Sequence, residues 1–158
     1  MTSIRKRSIG NRSFRTWPLA CLLLAGGAWA QATGDCPAMA ADSGMAWEKL
    51  DGPGFTFCKA IRSADGSQAF AVMIGRDSPF KPRRADRAEP ALIDGRKLHW
   101  YRSELAADPD AIVREILVDL ARNQVAHVTL RADSEQQKAE TMRQVEALRF
   151  QGALLSRN

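Results

Sequence analysis

Two histidines, three cysteines and one dense run of bases carry most of the chemical potential of this 158-residue chain. His99 and His127 are its only imidazoles, the group that moves protons near neutral pH or holds a metal ion. Each lies in a run that alternates large apolar with polar residues: Lys97–Leu98–His99–Trp100–Tyr101–Arg102 and Val125–Ala126–His127–Val128–Thr129–Leu130. Alternation of this kind predicts strands whose every second side chain shares a face. His99 and Tyr101 then lie together, as do His127, Thr129 and Arg131. Neighbouring strands would merge the five into a polar surface suited to a small ligand or a lipid. A zinc site needs at least three protein ligands. No third ligand stands at a recognisable spacing, so neither a metal nor a cofactor is expected, and the histidines read as half-exposed strand residues.

The bases Lys81, Arg83, Arg84 and Arg87 cluster between Pro79 and Pro90, and Phe80 stands at their head, flanked by prolines. An aromatic on an exposed basic loop suits contact with an acidic protein surface, and Phe80 equally suits tucking back onto the core. The acids Asp77, Asp86 and Glu89 interleave with the bases and balance them. A nucleophile elbow, a phosphate-cradling glycine loop and a dinucleotide fingerprint are all missing from the sequence. Asp108 and Asp110 resemble a carboxylate pair, but the start of a helix accounts for both. The chain therefore reads as non-catalytic.

The first thirty residues determine how the rest is read. Arg5, Lys6, Arg7, Arg12 and Arg15 make a basic opening free of acids, followed by the apolar run Leu19–Cys21–Leu22–Leu23–Leu24–Ala25. Ala28–Trp29–Ala30 then supplies the small-x-small pattern of a signal-peptide cleavage site. The expectation is a signal peptide over 1–30, cleavage near Ala30/Gln31, and a periplasmic or secreted protein. The apolar run is shorter than the ~20 residues a bilayer requires, and no later stretch is longer, so no integral membrane segment is expected after cleavage. The formal net charge is +5, from 23 basic and 18 acidic residues. Removing the five leader bases leaves 18 of each, so the high pI gives no support to nucleic-acid binding. Removing Cys21 leaves Cys36 and Cys58, which should pair in an oxidising compartment.

Residues 31–45 read as an irregular lead-in, 46–152 as a single α+β domain and 153–158 as a frayed tail. Phe55–Ile61 and Ala69–Ile74 form a first predicted hairpin around Ala64–Asp65–Gly66. Trp47–Leu50 adds an edge strand. Residues 76–89 form a long exposed loop, and Ala91–Ile93 pairs with Lys97–Arg102 around Asp94–Gly95. Asp108 and Pro109 suit a helix start, and Ile112, Val113, Ile116, Leu117 and Leu120 recur at helical spacing. A strand over 125–130 follows. Ser134 with Gln137 forms a capping box for a second helix burying Ala139, Met142, Val145 and Leu148, which Gln151–Gly152 ends.

The expected architecture is a mainly antiparallel sheet of five to six strands with two helices on one face. On that face should lie Phe55, Phe57, Ile61, Phe70, Val72, Ile74, Leu98, Trp100, Val128 and Leu130. The open face should carry Thr56, Cys58, Ala60, Ala71, Met73 and the His99/Tyr101/His127 set, with the Cys36–Cys58 bond strapping the lead-in across it. The functional expectation is a small exported accessory protein that binds another envelope protein, in the manner of an inhibitor or immunity protein. The alternatives are a small-ligand or lipid module using the polar face and, less favoured, a hydrolase of unrecognised type.

Overall fold

A computed structural model describes residues 36–120 and 123–150. Seven strands form one antiparallel sheet: β1 (Met45–Gly52), β2 (Phe55–Arg62), β3 (Gln68–Gly75), β4 (Arg87–Ile93), β5 (Arg96–Leu105), β6 (Asp108–Leu120) and β7 (Gln124–Ala132). Their order across the sheet is β1-β2-β3-β7-β6-β5-β4. Among the described residues a single α-helix, α1 (Glu135–Glu146), packs over β7 and β4. Two meanders thus meet at the β3–β7 pair, and the last strand enters the middle of the sheet.

This overturns the expectation of two helices and five to six strands in an α+β arrangement. Residues 108–120 form the longest strand, β6, rather than a helix. Their apolar pattern satisfies both periods. Ile112, Ile116, Val118 and Leu120 also fall on one side of a strand, and the β-branched members favour that choice. The neighbours decide it. β6 pairs with β7 continuously from Ile112↔Ala132 to Leu120↔Gln124, and with β5 through Tyr101↔Glu115. Asp108 consequently caps nothing and pairs instead with Arg131. Asn123 takes the left-handed conformation (φ 57°) between β6 and β7.

The turn chemistry of the other hairpins works as expected. Asp94 (φ 49°) and Gly95 (φ 77°) both occupy the positive-φ region that a primed two-residue turn requires. Helix α1 opens on Ser134, whose hydroxyl accepts from the Gln137 backbone N–H at 3.2 Å. The Gln137 side chain returns to the Asp133 N–H at 2.8 Å, one residue earlier than a strict capping box. The helix ends at Glu146, before the expected Gln151–Gly152, which lie outside the described residues, as does the 153–158 tail. Met142 and Val145 are buried as expected, Leu148 is buried just past the helix end, and Ala139 faces solvent.

The core lies between α1 and one sheet face, built from Phe70, Val72, Ile93, Trp100, Ile116, Val118, Val128, Leu130, Val145 and Phe150. Strand β2 enters it with the opposite phase to that expected. Its small residues Thr56, Cys58 and Ala60 face the core, while Phe57 and Ile61 face away and stay half-exposed. The space above them is filled from elsewhere. Trp47, Ala60 and Phe70 form one cross-strand row, and the Trp47 ring meets Phe70 edge-on at 5.7 Å. A bulky side chain at position 60 would displace that contact. Cys58 bonds Cys36 on the same side, so the disulfide fastens the lead-in to the core face rather than across the open one. The Trp47 indole N–H donates to Pro37 O at 2.8 Å, and Ala38 and Arg149 exchange two backbone hydrogen bonds. These bonds anchor residues 36–38 to the rest of the fold.

A charged cluster clips the helix to the sheet. Arg114 on β6 grips both oxygens of Glu89 on β4, at 2.8 and 3.1 Å, and Lys138 on α1 reaches the same carboxylate at 2.7 Å. The Arg114 guanidinium, then Lys138, hold the Glu89 carboxyl at about 2, well below its ordinary 4.5.

Candidate functional site

The open sheet face is built from β5, β6 and β7. Their register places Tyr101, Glu115, Thr129 and Ala71 side by side in one row across four strands. His127 lies in the next row, between Leu117 and Met73. Three of the expected polar-face residues, Tyr101, His127 and Thr129, are thus brought together. Glu115 joins them, a residue concealed in the sequence by the helical reading of β6.

The loop over 76–83 folds back onto this face. Its bend is set locally: Asp77 accepts from the Ser78 N–H at 2.8 Å and from Lys81 Nζ at 2.9 Å, and Ser78 Oγ accepts from the Phe80 N–H at 3.1 Å. Lys81 above all holds the Asp77 carboxyl below its usual range. The Ser78 turn and the Asp77–Lys81 bond shape this bend, and the Phe80 ring faces the sheet. It stacks on His127 at 5.3 Å with an interplanar angle of 12°, and meets Tyr101 edge-on at 5.8 Å. Of the two expectations for Phe80, an exposed contact and a ring tucked back, the ring takes the second and joins loop to sheet. The two candidate sets, polar face and basic loop, form one surface.

His127 is buried to 8% exposure beneath Phe80. Its Nε2 lies 3.3 Å from Glu115 Oε1 and 3.3 Å from Thr129 Oγ1. Both partners engage the same ring nitrogen. A nucleophile–base–orienter relay needs the hydroxyl and the carboxylate on opposite nitrogens, so these three residues do not form one. Their geometry instead fixes the imidazole as a platform for Phe80.

The remaining candidates lie around this centre. His99, half-buried, is on β5 with β6 between it and His127, and has no part in the stack. Arg131 is engaged by Asp108 at the margin. Arg83 pairs with Asp86 at 2.9 Å, Arg84 sits in a single 3-10 turn at Arg84–Asp86, and Arg87 is the first residue of β4 rather than part of the loop. Beside Phe80 opens a cleft of about 650 Å³, lined by Lys81, Arg83, Asp86, Arg102, Ser103, Glu104 and Glu115. Both bases and acids line it. Among the described residues, no group of three or more His, Cys, Asp or Glu side chains is placed to hold a metal ion, and no helix is long and apolar enough to cross a membrane. The disulfide is compatible with an extracellular location.

Comparison with protein-family models, with curated proteins and with solved structures returned no match.

Proposed function

We propose that this is an exported, non-catalytic accessory protein that binds another envelope protein through the 76–87 segment and the sheet face beneath it. One observation supports this reading above the rest: Phe80 stacks on His127 and so fixes a basic segment on a rigid sheet. A preorganised loop loses little entropy when a partner binds, which is what a contact surface needs. Lys81, Arg83, Arg84 and Arg87 are all exposed there. The basic opening, the leucine run and Ala28–Trp29–Ala30 support export, as does the buried Cys36–Cys58 bond.

The test is capture from an envelope extract with the purified protein as bait. A stoichiometric partner should be recovered by the wild type and by His99→Ala. It should be lost from the triple variant Arg83→Glu/Arg84→Glu/Arg87→Glu. Equal recovery by the triple variant would dismiss this surface. Mass measurement of the exported protein should place its first residue at Gln31, and a retained Met1 would refute cleavage.

The cleft beside Phe80 favours a second reading, a small-ligand module. Its lining combines the bases Arg83 and Arg102 with the acids Glu104 and Glu115, which suits a zwitterionic molecule. A ligand of that kind should raise the melting temperature of the wild type but not of Glu115→Gln.

A further inference from the structure

The two edges of the sheet are built differently. Edge strand β4 carries Pro90, which has no N–H to donate, and its register with β5 shifts between Arg87 and Pro90. Proline and irregularity are standard protections of a sheet edge. Edge strand β1 has neither. Its eight residues pair with β2 without interruption from Met45↔Arg62 to Gly52↔Phe55. Among the described residues no strand pairs with its outer side, which presents backbone donors and acceptors at regular spacing. Leu50, 61% exposed, lies in that strand on the face away from the helix. It opens an apolar row, Leu50–Phe57–Met73, that runs inward across the sheet.

We propose that β1 pairs antiparallel with β1 of a second copy of this chain, with Leu50 on the two-fold axis. Charge selects both the occupant and the register. With Leu50 opposite Leu50, Lys49 of each copy faces Asp51 of the other, and the pairing runs from Glu48 to Gly52. A two-fold axis normal to the sheet requires that facing residues share a face, so the nearest alternative registers centre on Lys49 or on Asp51. Either sets a charge against its own like. Only the Leu50-centred register turns both charges into attractive cross-strand pairs. It also joins the two Leu50–Phe57–Met73 rows into one apolar band across the interface. Lys49 and Asp51 already attract within the strand, at 3.1 Å, so the second copy extends an existing charge pattern. The resulting sheet is continuous across two chains. Its only remaining edges are the two β4 strands, both protected.

The molar mass of the purified protein, measured by sedimentation equilibrium against concentration, tests this. A short edge contact predicts a dimer forming over roughly 10–100 μM. Lys49→Asp alone and Asp51→Lys alone each place like charges opposite one another twice, and each should weaken association at least about tenfold. An equimolar mixture of the two variants should recover the dimer, because all facing charges are then opposite. Misfolding cannot produce that recovery. Asp51 also accepts from Thr56 Oγ1, so Leu50→Arg, which leaves that bond intact, serves as the independent variant and should be monomeric. Three results overturn the proposal: a wild-type monomer at about 1 mM, a Leu50→Arg dimer of wild-type strength, or two folded charge variants that stay monomeric when mixed. An edge that instead accepts a strand from a different protein gives the first of these.

Discussion

Replacing Glu89 by Gln tests the charged clip between helix and sheet. The native carboxylate sits at about 2 against an ordinary 4.5, because Arg114 and then Lys138 bond its ionised form. At ~1.4 kcal/mol per decade, that difference corresponds to about 3 kcal/mol of folding stability. The Glu89 side chain keeps 32% of its surface open, so solvent screening reduces the contribution to roughly 1–2 kcal/mol. A folded carboxyl below its unfolded value stabilises fully above pH 4.5. That stabilisation is lost as the pH falls from 4.5 through about 2. The amide variant lacks it at every pH and also leaves Arg114 and Lys138 facing each other without their shared anion. Urea unfolding of both proteins, with the disulfide intact, should show a gap of about 2 kcal/mol at pH 7. The gap should narrow below pH 4.5 and close near pH 2. Other carboxylates titrate in the same window, but they are common to both proteins and cancel in the difference. A gap that stays constant across the window, or no gap at pH 7, would falsify the assignment of this cluster as a helix clip.

Other outcomes follow from the same geometry. Reducing the Cys36–Cys58 bond, or replacing both residues with Ser, should cost about 3 kcal/mol from loop closure over a separation of 22 residues, read as a lower melting temperature. Phe80→Ala should cost roughly 1–3 kcal/mol and speed amide exchange within 76–83 while leaving β1 and β2 protected; unchanged loop protection would show that Phe80 does not pin the loop. Ser134→Ala should remove the cap of α1 at a cost of about 1 kcal/mol, measured by denaturant midpoint with an unchanged slope.

How much of this could be read in the sequence depends on how local the signal is. Asp94–Gly95 takes its turn because an Asp-Gly pair adopts positive φ at little cost, and Ser134 caps α1 because its hydroxyl reaches an N–H three residues on. His127 and Thr129 share a face because strand alternation forces it. Each of these is settled within a few residues of chain. The pairing of Cys36 with Cys58 follows from a count, once Cys21 is set aside as part of an expected leader.

The rest required partners distant in the chain. Residues 108–120 carry apolar spacing that fits a helix and a strand equally, and β5 and β7 on either side made them β6. In β2 the large residues Phe57 and Ile61 mark the face that was expected to be inside. Trp47, Phe70 and the disulfide already occupy the space above Ala60 and Cys58, so the small residues turned inward. The Glu89–Arg114–Lys138 cluster and the docking of Phe80 on His127 join positions tens of residues apart. Periodicity belongs to a segment alone and tells which side chains travel together. Which of two faces is buried depends on the volume and charge that other segments bring to it, and only the folded chain assembles those.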